Sequence, residues 1–152
     1  MKLDIPDHYQ QKPSTCLPAC IKAVLEYFGT SLAEDTIACA CRTTPAGTIA
    51  ELALEGIRTL GYDGVLIEGE TIEFLLSALD KGHPVIVFVD GAELPYATGG
   101  AHAVVVCGYE AGEITCMDPA LGQHVALDII TFLRAWLGMG YEGLLVLPQR
   151  SI

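Results

Sequence analysis

The chain has 152 residues, of which 51% are hydrophobic and 18% are charged, and its formal net charge at pH 7 is −11. This length suits a single domain, predicted over residues 1–152, and the few scattered basic residues argue against nucleic-acid binding, which needs clustered Lys and Arg. No apolar run approaches the roughly 18 residues of a membrane span, and residues 1–10 do not form a signal peptide, so we expect a cytoplasmic protein.

The first predicted helix carries a cysteine in its first turn. Its apolar positions recur at helical spacing and form one buried stripe: Leu17, Cys20, Ile21, Val24, Leu25 and Phe28. Ser14 or Thr15 is the expected cap, Pro18 fits the first turn, and Gly29 ends the helix. Cys16 therefore lies where unpaired backbone N–H groups stabilise a thiolate. The alternative is that Cys16 is only a small buried residue.

The rest of the chain predicts early helices and late strands. The further predicted helices span residues 33–41, 48–60, 71–81 and 129–137. The predicted strands span residues 64–68, 84–90, 102–109, 113–118, 124–127 and 142–147. Because strands and helices do not alternate and nothing repeats, we predict an α+β fold with an N-terminal helical half and a C-terminal antiparallel sheet half. A site would lie in the cleft between the two halves.

A predicted hairpin in the sheet half carries a histidine and an aspartate. His102 opens the run HAVVVCGY, Asp118 closes the run EITCMD, and a short turn joins the two runs. If Tyr109 pairs with Glu113, His102 lies opposite Ala120, and Asp118 is its diagonal neighbour on the same face. A shift of one residue would place the two side chains on opposite faces. Taken alone, His102 is more commonly a core or loop histidine, and Asp118 is equally a turn initiator.

Taken together, the order Gln10, Cys16, His102 and Asp118 provides the groups for thiolate attack on a carbonyl. A histidine supplies the base that a thiol needs at neutral pH, and a carboxylate fixes the tautomer of that histidine. A glutamine amide near the thiol, together with the cysteine backbone N–H, can bind the oxyanion that forms. This chemistry requires no metal and no cofactor.

Four stretches of the chain resemble segments of a known family and occur in the same order as in that family. They are QQKPSTCLPACIKAVLEYFG, GHPVIVFVD, GAHAVVVCGY and MDPALG. The chain resembles the papain-like cysteine peptidases that remove leader peptides from bacteriocin precursors after a double glycine, together with their free-standing relatives. The resemblance implies that Gln10 binds the oxyanion, Cys16 is the nucleophile, His102 the base and Asp118 the orienting acid. The family spacing favours Gln10 over Gln11. Leu17 departs from the glycine that usually follows the nucleophile.

The resemblance also implies a peptide or protein substrate and suggests association with a transporter. It predicts no oligomeric state. The acidity is compatible with a basic peptide, although solubility alone also explains it.

Among the six cysteines, the C-x-C pair Cys39 and Cys41 is too weak a pattern to predict zinc. The Gly-rich segment 91–101 is either an ordinary connection or a loop at the cleft edge. Two alternatives to a peptidase are an acyltransferase with the same triad and a non-catalytic leader-peptide-binding domain.

Overall fold

A computed structural model describes residues 1–148 of the chain. The helices are α1 (Cys16–Tyr27), α2 (Glu34–Ala40), α3 (Ala50–Thr59), α4 (Ile72–Asp80) and α5 (Ile129–Leu137). The strands are β1 (Asp63–Ile67), β2 (Val85–Asp90), β3 (Ala101–Glu110), β4 (Glu113–Asp118), β5 (Gln123–Asp128) and β6 (Gly143–Leu147). Each predicted helix and strand is confirmed; the largest difference in bounds is at α3, which was predicted from residue 48 and begins at Ala50.

The six strands form one antiparallel sheet in the order β1-β6-β2-β3-β4-β5. The central strands β2 and β3 read as nearly continuous apolar runs, VIVFVD and AHAVVVCGYE, and most of their residues are buried. A strand with so little alternation between apolar and polar residues is buried on both faces. Within residues 1–148, no helix is long and apolar enough to cross a bilayer.

Helices cover both faces of the sheet and divide the core in two. One cluster packs α1, α2 and α3 against alternate residues of β3 and β4, including Ala103, Val105 and Met117. The second cluster packs α4 and α5 against the intervening residues, including Val104 and Cys116. This alternation follows from the strand geometry, in which neighbouring side chains point to opposite faces. The predicted α+β architecture is thus confirmed, and α4 and α5 belong to its sheet half.

The register of the β3–β4 hairpin differs from the prediction next to the turn. Glu110 pairs with Glu113 and Tyr109 with Ile114, so the predicted pairing of Tyr109 with Glu113 is wrong by one residue. The reason is that the turn contains two residues rather than three. Ala111 and Gly112 both have positive φ, of 51° and 80°, as the two-residue type I′ turn requires.

A bulge in β3 removes this difference farther along the hairpin. The register shifts between Val106 and Gly108, and beyond the shift Val106 pairs with Cys116, which is the register that the sequence predicted for the far end. The N-terminal segment lies along the bulge, where Leu3 N donates to Cys107 O at 2.7 Å. Gly108 permits this approach, because a Cβ atom there would lie 2.8 Å from the carbonyl oxygen of Met1.

A buried carboxylate ties the segment before α1 to α2. The Glu34 side chain is fully buried, and its Oε1 lies 3.0 Å from His8 Nε2. The same carboxylate accepts the backbone N–H of Gln11, at 3.3 Å to Oε1 and 3.1 Å to Oε2. Since an unpaired buried polar group is destabilising, Glu34 and the segment around Gln11 depend on each other.

We expect Glu34→Ala to lower the free energy of unfolding by about 2–3 kcal/mol, because it leaves the Gln11 N–H without its buried charged acceptor. Glu26→Ala is the matched control: Glu26 pairs with Lys22 at the helix surface at 2.7 Å, and its loss should cost about 0.5 kcal/mol. Urea unfolding followed by circular dichroism measures both values. Equal losses in the two variants would contradict the anchoring role of Glu34.

Candidate active site

Cys16 is the first residue of α1 and is partly exposed. The residue before it, Thr15, occupies the N-cap position, but its hydroxyl bonds back to Lys12, donating to O at 3.0 Å and accepting from N at 3.1 Å. Thr15 thus holds the predicted cap position, but its side chain makes no capping hydrogen bond to α1, so the expected side-chain cap is wrong. The first-turn N–H groups are therefore left for other acceptors, beside the Cys16 thiol.

The other cysteines have different surroundings. Cys20, Cys41, Cys107 and Cys116 are buried, whereas Cys39 is exposed on α2. Burial raises the pKa of the Cys41 thiol to about 11 and that of Cys107 to about 12, and it also raises the pKa of the two remaining buried thiols. Cys16 and Cys39 are thus the only cysteines that are not buried in the part of the chain that the structure describes.

His102 lies near the start of β3, where it pairs with Val89 of β2, and it is buried. Its Nε2 lies 2.7 Å from Oδ1 of Asp118, which leaves Nδ1 for a second partner, and Cys16 borders the same cleft as the ring. Burial alone would lower the pKa of His102, but the hydrogen bonds to Asp118 and Cys16 and the negative charge beside it raise that pKa to about 9. The ring is therefore charged at neutral pH.

Asp118 ends β4 and is fully buried. Its Oδ1 accepts from His102 Nε2 and from the backbone N–H of Ala120 at 2.8 Å, while its Oδ2 accepts from the hydroxyl of Tyr96. Burial by itself would raise the pKa of this carboxyl, but the hydrogen bonds and the charge of His102 hold the pKa below its usual value. Asp118 is therefore ionised although its side chain is fully buried.

Gln10 lies in the segment that leads into α1. Its backbone N–H donates to Pro119 O at 2.9 Å, which joins it to the turn that follows Asp118. Its amide Nε2 donates to Lys12 O at 2.8 Å and to Pro13 O at 3.4 Å. Its Oε1 is buried and has no hydrogen-bond partner among the described residues. The structure thus bonds His102 to Asp118 and places Cys16 and His102 on one cleft, whereas it holds the Gln10 amide within the loop before α1.

A cleft of about 320 Å³ opens beside Cys16 and His102. Its apolar lining includes Leu17, Leu66, Ile67, Phe88 and Met139, drawn from both halves of the fold as predicted. The charged side chains in the lining, apart from His102, are all carboxylates: Glu51, Glu68 and Glu142. Of the Gly-rich segment 91–101, Ala101 borders this cleft.

Tyr96 is the contact that the sequence does not predict. It lies in the Gly-rich segment, and its hydroxyl reaches Asp118, which follows it by 22 residues. No helical or strand periodicity relates a tyrosine in an irregular loop to a carboxylate at a strand end, so spacing alone carries no signal for this pair. The loop before His102 thus contacts the buried end of the site.

Comparison with known proteins gives one family. The Peptidase_C39 like family matches residues 2–144 of the chain. Among solved structures, the peptidase domain of Streptococcus ComA, a bi-functional ABC transporter of a quorum-sensing pathway, superposes with a TM-score of 0.78 at 21% identity, covering 95% of this chain and 99% of that domain. A C39-like peptidase from Bacillus anthracis has a TM-score of 0.77 at 17% identity, covering 99% and 100% of the two chains.

A double glycine motif protease from an AMS/PCAT transporter, solved with its leader peptide, has a TM-score of 0.73 at 20% identity and covers 97% of this chain and 94% of that one. No curated protein sequence matches this chain. These neighbours confirm the predicted papain-like fold. Because the family match spans nearly the whole sequence, the chain belongs to the Peptidase_C39 like family, as its resemblance in sequence led us to expect.

Proposed function

We propose that this protein is a cysteine peptidase in which Cys16 is the nucleophile, His102 the acid and base, and Asp118 the carboxylate that orients His102. The observation that carries this proposal is a buried imidazole that bonds to the carboxylate of Asp118 and borders the same cleft as Cys16. Family membership supports a peptidase role independently of this geometry.

The proposed reaction begins with His102 protonated, because its pKa of about 9 keeps the imidazolium at neutral pH. The Cys16 thiolate forms a bond to the scissile carbonyl carbon, and the carbonyl electron pair moves onto oxygen. As the oxyanion collapses, the C–N bond breaks and His102 gives its proton to the leaving amine. His102 then takes a proton from water, which attacks the thioester and releases the acid and Cys16. Asp118 stays ionised throughout.

Gln10 is proposed to bind the oxyanion together with the Cys16 backbone N–H. Of the two hydrogen bonds from Gln10 Nε2, the one to Lys12 O is 2.8 Å long and the one to Pro13 O is 3.4 Å. The longer bond is the weaker, so the second N–H can be transferred to an oxyanion while the first holds the amide in place. Catalytic hydrogen bonds commonly tighten only when substrate is bound.

The proposed substrate is a peptide that presents basic rather than acidic side chains to the cleft. The carboxylates of Glu51, Glu68 and Glu142 line it, and among residues 1–148 no Lys or Arg does. Similarity to the AMS/PCAT protease, solved with a leader peptide, supports leader peptides as the substrate class, and similarity to ComA supports a transporter as partner. Leu17 borders the cleft, so we propose a weaker requirement for double glycine than in the family.

We expect iodoacetamide at pH 6 to modify Cys16 at least about tenfold faster than Cys39, because the imidazolium of His102 and the start of α1 favour a Cys16 thiolate. Cys39 is the matched accessible thiol on another helix. Peptide mapping by mass spectrometry measures both rates, and His102→Ala should remove most of the difference. Faster modification of Cys39 in the wild-type protein would reject Cys16 as the nucleophile.

We expect cleavage of a basic peptide with Gly-Gly before the cut, with a rate that falls above about pH 9 as His102 loses its proton. Cys16→Ala should abolish cleavage but keep peptide binding, since the thiol acts mainly in the transition state. Gln10→Ala should lower kcat by about 10²–10³, the usual loss for one oxyanion donor.

Chromatography of the products and calorimetric titration of the peptide distinguish the alternatives. An acyl group transferred to an added amine in place of water would identify an acyltransferase. Tight peptide binding by wild-type protein and Cys16→Ala alike, with no cleavage or transfer by the wild type, would identify a leader-binding domain and contradict the peptidase proposal.

A further inference from the structure

The carboxylate of Asp118 is held by groups from three separate parts of the chain. His102 donates from β3, the Ala120 backbone N–H from the turn after β4, and the Tyr96 hydroxyl from the loop between β2 and β3. The first two reach Oδ1, whereas Tyr96 reaches Oδ2. Tyr96 is therefore the group that binds the carboxylate oxygen to which His102 and Ala120 do not donate.

We propose that Tyr96 is a positioning residue for the peptidase reaction: by binding Oδ2, its hydroxyl fixes the rotation of the Asp118 carboxylate so that Oδ1 remains on His102. This inference rests on the proposed function. A carboxylate without a donor on Oδ2 can turn about its bond to Cβ, and each turn weakens the hydrogen bond that orients the imidazole.

The chemistry of a tyrosine suits this position. Its hydroxyl is a neutral donor, so it stabilises the carboxylate without cancelling the negative charge that acts on His102. A lysine or arginine there would neutralise Asp118 and so weaken its hold on the imidazolium. Burial, together with the hydrogen bond to Asp118, raises the pKa of Tyr96, so the hydroxyl keeps its proton while the enzyme works.

Other ionisable groups near Asp118 do not compete for this role. Besides His102 and Tyr96, the charge of Asp118 acts on the thiols of Cys20 on α1 and Cys116 on β4. Burial raises the pKa of both thiols, so neither carries a charge at neutral pH. The charge of Asp118 therefore acts chiefly on His102.

The loop is built to hold Tyr96 in place without substrate. Its ends are tied together, since Gly91 N donates to Gly100 O at 2.8 Å and Thr98 N donates to Gly91 O at 3.0 Å. Gly91 is needed for this closure, because a Cβ atom there would lie 2.2 Å from Thr98 Oγ1. Leu94 is buried in the second core cluster, against which the Tyr96 ring also packs.

Tyr96→Phe tests the proposal, since it removes the hydroxyl and keeps the packed ring. We expect kcat to fall about tenfold with KM nearly unchanged, and the alkaline limb of the pH profile to move to lower pH as His102 holds its proton less tightly. Tyr27→Phe is the matched control: its half-buried hydroxyl donates to Gly82 O at 3.1 Å from the far end of α1. Both readouts should stay at wild-type values there.

Iodoacetamide labelling of Cys16 at pH 6 separates this proposal from the proposed function, because it needs no substrate. We expect labelling to slow in Tyr96→Phe relative to Tyr27→Phe. If the wild-type protein cleaves no peptide but this difference appears, the peptidase role fails and the positioning role stands. Unchanged labelling and an unchanged alkaline limb in Tyr96→Phe, or equal losses in both variants, would overturn the role of Tyr96.

Discussion

The buried carboxylate of Asp118 is the interaction on which the rest of the site depends. Removing an ion of this kind from water costs several kcal/mol, so it is tolerated only where donors replace the lost hydration. Here His102, Ala120 and Tyr96 together donate the hydrogen bonds that replace water. These bonds hold the pKa of the carboxyl below its usual value although the side chain is buried. The same charge raises the pKa of His102, so the protonation of the imidazole depends on how completely Asp118 is enclosed.

The fold meets this requirement through the geometry of one hairpin and the helix that crosses it. The two-residue turn and the bulge near Gly108 together set the pairing of β3 with β4, and thereby bring His102 to Asp118. Helix α1 packs on β3 through the first core cluster and places its first residue, Cys16, at the imidazole. The central strands β2 and β3 are covered on both faces, so these parts are set in a rigid, close-packed interior.

How much of this could be predicted depends on the range of each interaction. The start of α1 at Cys16 and the strand ends follow from local periodicity, and the sequence indicates them well. The meeting of His102 with Asp118 was predicted from a pairing that is wrong by one residue at the turn, and the bulge cancels the error. At the bulge, the N-terminal segment around Leu3 lies against Gly108, which is far from it in sequence. The bulge could therefore not be predicted from the local sequence. Tyr96, the side-chain bonding of Thr15 and the amide orientation of Gln10 depend on irregular loops, for which no periodicity exists.

The charge state of His102 tests the central claim most directly, and NMR titration of its ring resonances in the intact protein measures it. His102→Gln identifies these resonances among those of the four histidines. We expect a pKa of about 9 in the wild-type protein and a clearly lower pKa in Asp118→Asn, since the carboxylate that opposes the effect of burial is then lost and only Cys16 still opposes it. A wild-type pKa near 6.5, or a raised pKa that Asp118→Asn leaves unchanged, would contradict the account.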